Sequence, residues 1–386
     1  MPPLGRTRAR RGSFGAVVFG ACVAVAVAAA LLGGNAARLL AQATAETYSV
    51  TGDDVAIYNL AGKLQIVAGT GDAVVVEVTR GGADAARLEV KTGPYNGRQT
   101  LRVLYPERRV VYPGMGRGST TQSDVDDEGF FGDDDGKRVT ITGSGSGLQA
   151  YADLRVRMPA GQKLTIKWLV GEVTVTNVQG DLFVDHASGS IAVDGIRGNL
   201  SLDTGSGAIK VSRARGDVSL DTGSGALVVN DVQGGRLALD TGSGTVNISN
   251  VKVDELAADT GSGPVLVRGA DADDIRLDSG SGTVEVDLVE DVESMVIDTG
   301  SGRITLRVPR DLGATFQIET SSGGIDIGVP YEARQIGRRE VHGRFGDGKG
   351  RIRIDSGSGG VRIISRESRG AALDTWPGAL LNLSIQ

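Results

Sequence analysis

Asp203-Thr204-Gly205-Ser206-Gly207 has the residue order of an aspartic-protease catalytic loop, in which a carboxylate works on a tight glycine-bearing turn. That chemistry needs two such loops facing each other, so that two aspartates share one proton. The chain instead carries seven D-[T/S]-G-S-G copies, opening at Asp203, Asp221, Asp240, Asp259, Asp278, Asp298 and Asp355. Degenerate copies open at Asp185 and Glu319. Successive steps from Asp185 are 18, 18, 19, 19, 19, 20, 21 and then 36 residues, the last being twice 18. A near-constant interval marks a structural repeat, and a proteolytic pair has no use for it. The copies read as corners. Gly205 and Gly207, like Gly223 and Gly225, allow the tight backbone, and each Asp side chain is expected to accept hydrogen bonds from the N–H groups that follow it.

Stacked corners raise an electrostatic question. Carboxylates on adjacent rungs lie about 5 Å apart, and each neighbour raises the pKa of the others. Local N–H groups or a bound cation would relieve this, so Ca²⁺ is the one cofactor to consider. Calcium β-rolls use G-G-x-G-x-D nonapeptides, however, whereas here the aspartate precedes the glycines. A second acidic stretch spans 124–135. Asp124, Asp126, Glu128, Gly129 and Asp135 overlay the calcium-loop positions of an EF-hand, with Glu128 where Asp or Asn is usual and Asp135 where a bidentate Glu is usual. No helix pattern flanks it, so a disordered acidic loop is the plainer reading. Of the two histidines, His186 stands where other copies carry Thr or Ser and reads as a surface variant of the turn; the other is His342. No Ser-His-Asp set, HExxH, phosphate loop or cysteine cluster is present, and Lys210 and Arg303 share no rung position with acidic partners. No catalytic residue is assigned.

The elements that hold these corners are strands. Apolar residues alternate before each aspartate, as at Leu200 and Leu202, Val218 and Leu220, or Met295 and Ile297. They alternate again after it, as at Ile209 and Val211, Leu227 and Val229, or Val246 and Ile248. Period two with one wet face means strand, turn, strand. A unit this small buries its apolar face only by stacking on its neighbours, and 18 residues is too short for a propeller blade. The expected fold is all-β: a two-faced parallel β-solenoid of 18–21-residue rungs, closed by a second turn such as Val178-Gln179-Gly180. The expected divisions are a signal peptide over 1–43, an N-terminal β region or cap over 44–105, an acidic Gly/Asp-rich mobile loop insertion over 106–138, solenoid repeats over 139–366 and a C-terminal tail over 367–386 that covers the last open edge.

Composition supports export and argues against nucleic acid. The net charge is -6, and basic residues cluster only in the first twelve, at Arg6, Arg8, Arg10 and Arg11. An uncharged apolar run over 14–32 and Ala41-Gln42-Ala43 complete a cleavable signal pattern, with the run left in the membrane as the alternative. The only cysteine, Cys22, lies in that run, so the exported chain has no disulfide. Glycine stands at 59 of 386 residues, about twice the average usage of roughly 7%.

Val55, Ile57, Asn59, Gly62, Leu64 and Ile66 form the pattern V-x-I-x-N-x-x-G-x-L-x-I, and Val156-Arg157-Met158-Pro159-Ala160-Gly161 precedes the first corners. Leu306-Arg307-Val308-Pro309 repeats part of the latter. With the D-T-G-S-G corners, these motifs make the region from about 48 to 366 resemble a bacterial family of exported proteins named as adhesins, with β-strand repeats and no established biochemical activity. The resemblance implies a non-catalytic cell-envelope or surface scaffold that contacts a surface polymer or envelope protein. A β-helix carbohydrate-active enzyme, with a loop-walled groove of Asp, Arg and Lys, and a calcium-binding β-roll are the alternatives.

Overall fold

The computed structural model describes residues 45–132 and 136–366. Among them, 25 strands form one continuous sheet and three more a small separate sheet. The alternating pattern places Leu200, Leu202, Val218 and Leu220 on one interior wall and Ile209, Val211, Leu227 and Val229 on the other, all buried. Equivalent residues of successive rungs stack in register: Leu202 beside Leu220, Leu220 beside Leu239, Val211 beside Val229, Val229 beside Ile248. The chain is therefore the parallel β-solenoid that its repeat demands, with one core running the length of the stack.

Each rung has a third side as well as the two long faces. After the second face a left-handed residue kinks the backbone: Asn177, Arg213, Asp231 and Asn250 at φ between 51° and 56°, or Gly195 and Gly269. Pairing then resumes briefly, with Val178 beside Ile196 and Ala214 beside Val232, all four buried. Asparagine and glycine tolerate this conformation best, which is why the kink carries them at four of these six rungs.

At both ends the stacking order departs from the chain order. The spacing places Glu319 directly after Asp298, but the structure puts Asp355 beside Asp298 and Glu319 beyond Asp355. The chain runs ahead to build the outermost rung, Ala314–Thr320 and Ile325–Ile327, and then turns back. Gly350–Ser356 and Val361–Ser365 fill the rung that was skipped. At the other end, the stretch expected to be only a cap contains a full rung. Asp54–Ala61 and Leu64–Ala68 lie between Arg98–Leu104 and Tyr151–Met158 on the outside and the first sequential rung on the inside.

Antiparallel strands finish both ends. Glu89–Tyr95 and Ala73–Gly81 close the first, and Glu340–Phe345 closes the second, followed outside by the fully exposed Glu332–Ile336. A returning chain explains this arrangement, because a parallel stack built in chain order leaves a long unpaired edge, whereas a short charged hairpin blunts it.

The insertion is folded. Arg109–Val111, Thr120–Val125 and Lys137–Thr142 pair into the small sheet, whose apolar side packs Val110, Tyr112, Phe131 and Ile141 on Leu60, Leu169 and Val170 of the solenoid. Gly118, Asp126, Asp127 and Gly129 sit in turns between alternating apolar pairs such as Val139 and Ile141. The expected signal peptide and C-terminal tail lie outside the described residues. No helix among the described residues is long and apolar enough to cross a membrane.

Candidate functional site

In each D-T-G-S-G corner the aspartate points outward and the threonine inward. Thr204, Thr222, Thr241, Thr260, Ser279, Thr299 and Ser356 are fully buried. Their hydroxyls tie the corner together: Thr260 Oγ1 donates to the Gly244 carbonyl of the preceding rung at 3.1 Å and accepts from the Gly263 N–H of its own corner at 3.1 Å. Thr241, Ser279 and Thr299 do the same. The backbone capping expected of the corner aspartates is thus performed by the hydroxyl ladder. Aspartates that do cap N–H groups stand in a different column, where Asp181 accepts from Asn199 at 2.8 Å and Asp217 from Arg236 at 3.0 Å.

The corner aspartates are consequently left as an open carboxylate column. Strand register aligns Asp185, Asp203, Asp221, Asp240, Asp259, Asp278, Asp298 and Asp355, with Glu319 last. Lys167 heads the column and reaches Asp185 at 2.5 Å. Along the middle, partial burial and then the charge on the preceding rung hold the carboxyls of Asp240, Asp259 and Asp278 above the usual range, and Asp203 is raised likewise between Asp185 and Asp221.

Two residues before the aspartates from Asp203 to Asp259 runs a parallel column of small side chains, Ser201, Ser219, Ala238 and Ala257, opened by Phe183 and continued by Arg276. Phe183 is 37% exposed, one of the few large apolar side chains in contact with solvent. A further column, Lys163, Asp181, Asn199, Asp217 and Arg236, rims the other side and encloses a shallow trough of about 290 Å³ over Phe183, Ser201 and Ser219. The face is therefore a flat strip, acidic along one edge and mixed in charge along the other, repeating at the strand spacing of about 4.8 Å. Such a surface can hold an extended chain by many weak contacts.

A family model matches residues 133–364: the Toastrack domain, DUF4097. The chain belongs to the Toastrack family. The matched span takes in the whole carboxylate column, while the rung at 54–68 falls before it. A crystal structure of a "putative cell adhesion protein" from Clostridium sporogenes is similar over 84% of this chain and 99% of that one, at 11% identity and a TM-score of 0.21. No curated protein matches the chain.

Away from the Toastrack corners, the acidic loop does not converge on one centre. Asp124 faces Arg138 at 3.5 Å. Asp126 Oδ1 accepts the N–H groups of Glu128 and Phe130 at 2.9 and 2.8 Å. Glu128 pairs with Arg102 at 3.3 Å and Lys91 at 3.7 Å. Asp135, the fourth residue of that set, lies outside the described residues. The turn serves instead to seat Phe130, which stacks on Tyr95 at 3.6 Å with the Arg102 guanidinium 4.6 Å from its ring centre.

His186 is not on the surface. It occupies the inward threonine position, 1% exposed, with Nδ1 3.5 Å from Thr204 Oγ1. Burial pushes its pKa down to about 4, so it is neutral at pH 7. A feature outside the reach of the repeat pattern lies at the far end of the column, where Glu319, Glu340 and His342 come together. Glu319 is legible as a degenerate corner, but its two companions arrive through an antiparallel pairing that no period announces.

The column has a pH signature. A carboxyl whose folded pKa lies above its unfolded value destabilises the fold when ionised, and that cost is relieved as pH falls through the folded pKa. Asp203, Asp240, Asp259 and Asp278 therefore favour folding more in mild acid than at pH 7. His186 acts oppositely, because its lowered folded pKa makes stability fall as pH drops below about 6.5. Asp240→Asn/Asp259→Asn/Asp278→Asn is expected to raise Tm at pH 7 and to leave a smaller difference from wild type at pH 4.5. His186 is common to both proteins and cancels in that difference. A wild-type advantage at pH 7 would show that the carboxylates are neutralised by an unseen partner.

Proposed function

We propose that this Toastrack chain is an exported, non-catalytic scaffold of the cell envelope or surface, and that it works by multivalent contact along the carboxylate face. The observation that supports the reading is the in-register column from Asp203 to Asp298 beside the small-residue floor Ser201, Ser219, Ala238 and Ala257. A partner with hydroxyl or cationic groups at regular spacing meets the same two columns on the four rungs from Asp203 to Asp259. Each contact is weak and exposed, and strength comes from their number. On this face the hydroxyl-bearing Ser201 and Ser219 stack in register, and the imidazole of the same corner series, His186, is inside the core.

The test is binding of the full chain to a glycan array and to cationic and neutral polysaccharides, with release of reducing ends followed in parallel. Retention that rises steeply with ligand length and drops at least about tenfold in Asp221→Asn/Asp240→Asn/Asp259→Asn, without turnover, is the expected result. Turnover of a polysaccharide would make the chain a carbohydrate-active enzyme. Length-independent binding would remove the multivalent reading.

A further inference from the structure

The outer end of the carboxylate column is built differently from its middle. Asp355, Glu319 and Glu340 stand side by side on three neighbouring strands, Glu319 in parallel register with Asp355 and in antiparallel register with Glu340. Like charges directly opposite one another across a strand pair are destabilising. Among the described residues no lysine or arginine forms an ion pair with any of the three; Arg344, on the same strand as Glu340, is engaged by Glu332. The group facing them is His342, whose Nε2 lies 2.7 Å from Glu340 Oε1. One donor atom each from Glu319, Glu340 and His342 falls within 4.8 Å of the others, and all three residues are half-buried. Gln317, in register with His342, donates its side-chain N–H to Glu319 Oε1 and holds that carboxylate in place.

We propose that Glu319, Glu340 and His342 form a binding site for a divalent transition-metal ion of the zinc class. One imidazole nitrogen with two carboxylate oxygens is a borderline donor set suited to Zn²⁺, while Ca²⁺ prefers all-oxygen cages of six or more ligands. An imidazolium would offset one of the neighbouring negative charges, whereas a divalent ion offsets two. Three protein ligands leave a fourth position for water or for a group on a partner. The ligands come from the outermost rung and from the strand that caps it, so the ion clips the cap to the stack. Binding to the folded chain alone raises its stability. The site is independent of how the carboxylate face is used.

The experiment is calorimetric titration of the EDTA-stripped full chain with ZnCl2 and with CaCl2, alongside the Tm and the imidazole proton resonances. The chain has only two histidines, and His186 is buried away from this end. One equivalent of Zn²⁺ is expected to bind, raise Tm and shift one of the two imidazole signals, with CaCl2 giving no such shift. His342→Leu should lose this binding, and Gln317→Leu should weaken it by about tenfold as an orienting neighbour. Should His342→Leu fail to fold, Glu340→Gln must weaken Zn²⁺ at least about tenfold in its place. Absence of zinc heat in the wild-type chain overturns the proposal, as does zinc heat that persists unchanged in the variants or leaves both imidazole signals unmoved.

Discussion

Gly244→Ala is expected to break the solenoid in its middle. A Cβ on Gly244 would sit 1.6 Å from the carbonyl oxygen of Gly225 and 2.8 Å from Thr241 Oγ1. Both neighbours are fixed, one being backbone of the rung before and the other the buried hydroxyl that caps the corner. The rungs must separate locally or the corner must unwind, at a cost of about 3 kcal/mol or more. Because each rung touches only its neighbours, the damage divides one cooperative unit into two. Urea denaturation should show a lowered midpoint, and limited proteolysis should cut near 225–245. Gly324→Ala is the matched control: its Cβ meets nothing within 4 Å, and its stability should stay within about 0.5 kcal/mol of wild type. Equal midpoints for the two variants would mean that the corners are not packed as tightly as these distances require.

Trp168→Ala carries the second large effect. Trp168 is 1% exposed and occupies the inward column position that His186 and Thr204 fill on the next two rungs. Its Nε1–H donates to the Gly62 carbonyl at 3.0 Å, which ties it to the rung inserted out of chain order. Removing a buried indole costs about 3–5 kcal/mol. Trp168→Phe retains most of the ring and loses the hydrogen bond, so it should cost about 1–3 kcal/mol for the orphaned carbonyl. Denaturation of the two variants should rank them in that order. Hydrogen exchange should also localise the loss to 54–68 and 162–179. Uniform loss across all rungs would show that Trp168 is not specific to that junction.

The repeat made most of the middle legible. Counting D-[T/S]-G-S-G corners gave the strand–turn–strand unit, the interior positions and the parallel register from 182 to 308, because each of these depends only on local alternation and a fixed period. Roles within the corner were less legible. Asp and Thr can both cap a turn, and only the direction each side chain takes from the strand decides that threonine turns inward to the backbone and aspartate outward to solvent. His186 continues the inward series of Leu182 and Val184 at period two, and reading it as part of a turn rather than as the end of a strand hid that signal. The folding of the insertion expected at 106–138, whose small sheet runs on to Thr142, was hidden by composition, its short apolar pairs being outnumbered by turn residues.

By itself, the sequence of this protein determined an all-β solenoid of 18–21-residue rungs and a column of acidic corners along it, since period and alternation are properties of neighbouring residues. The tertiary structure alone decided the stacking order at the two ends, and with it the meeting of Glu319, Glu340 and His342. A step of 21 residues fits the repeat whether or not the two rungs touch, and an antiparallel cap pairs strands by their position at an open edge, which no local pattern encodes.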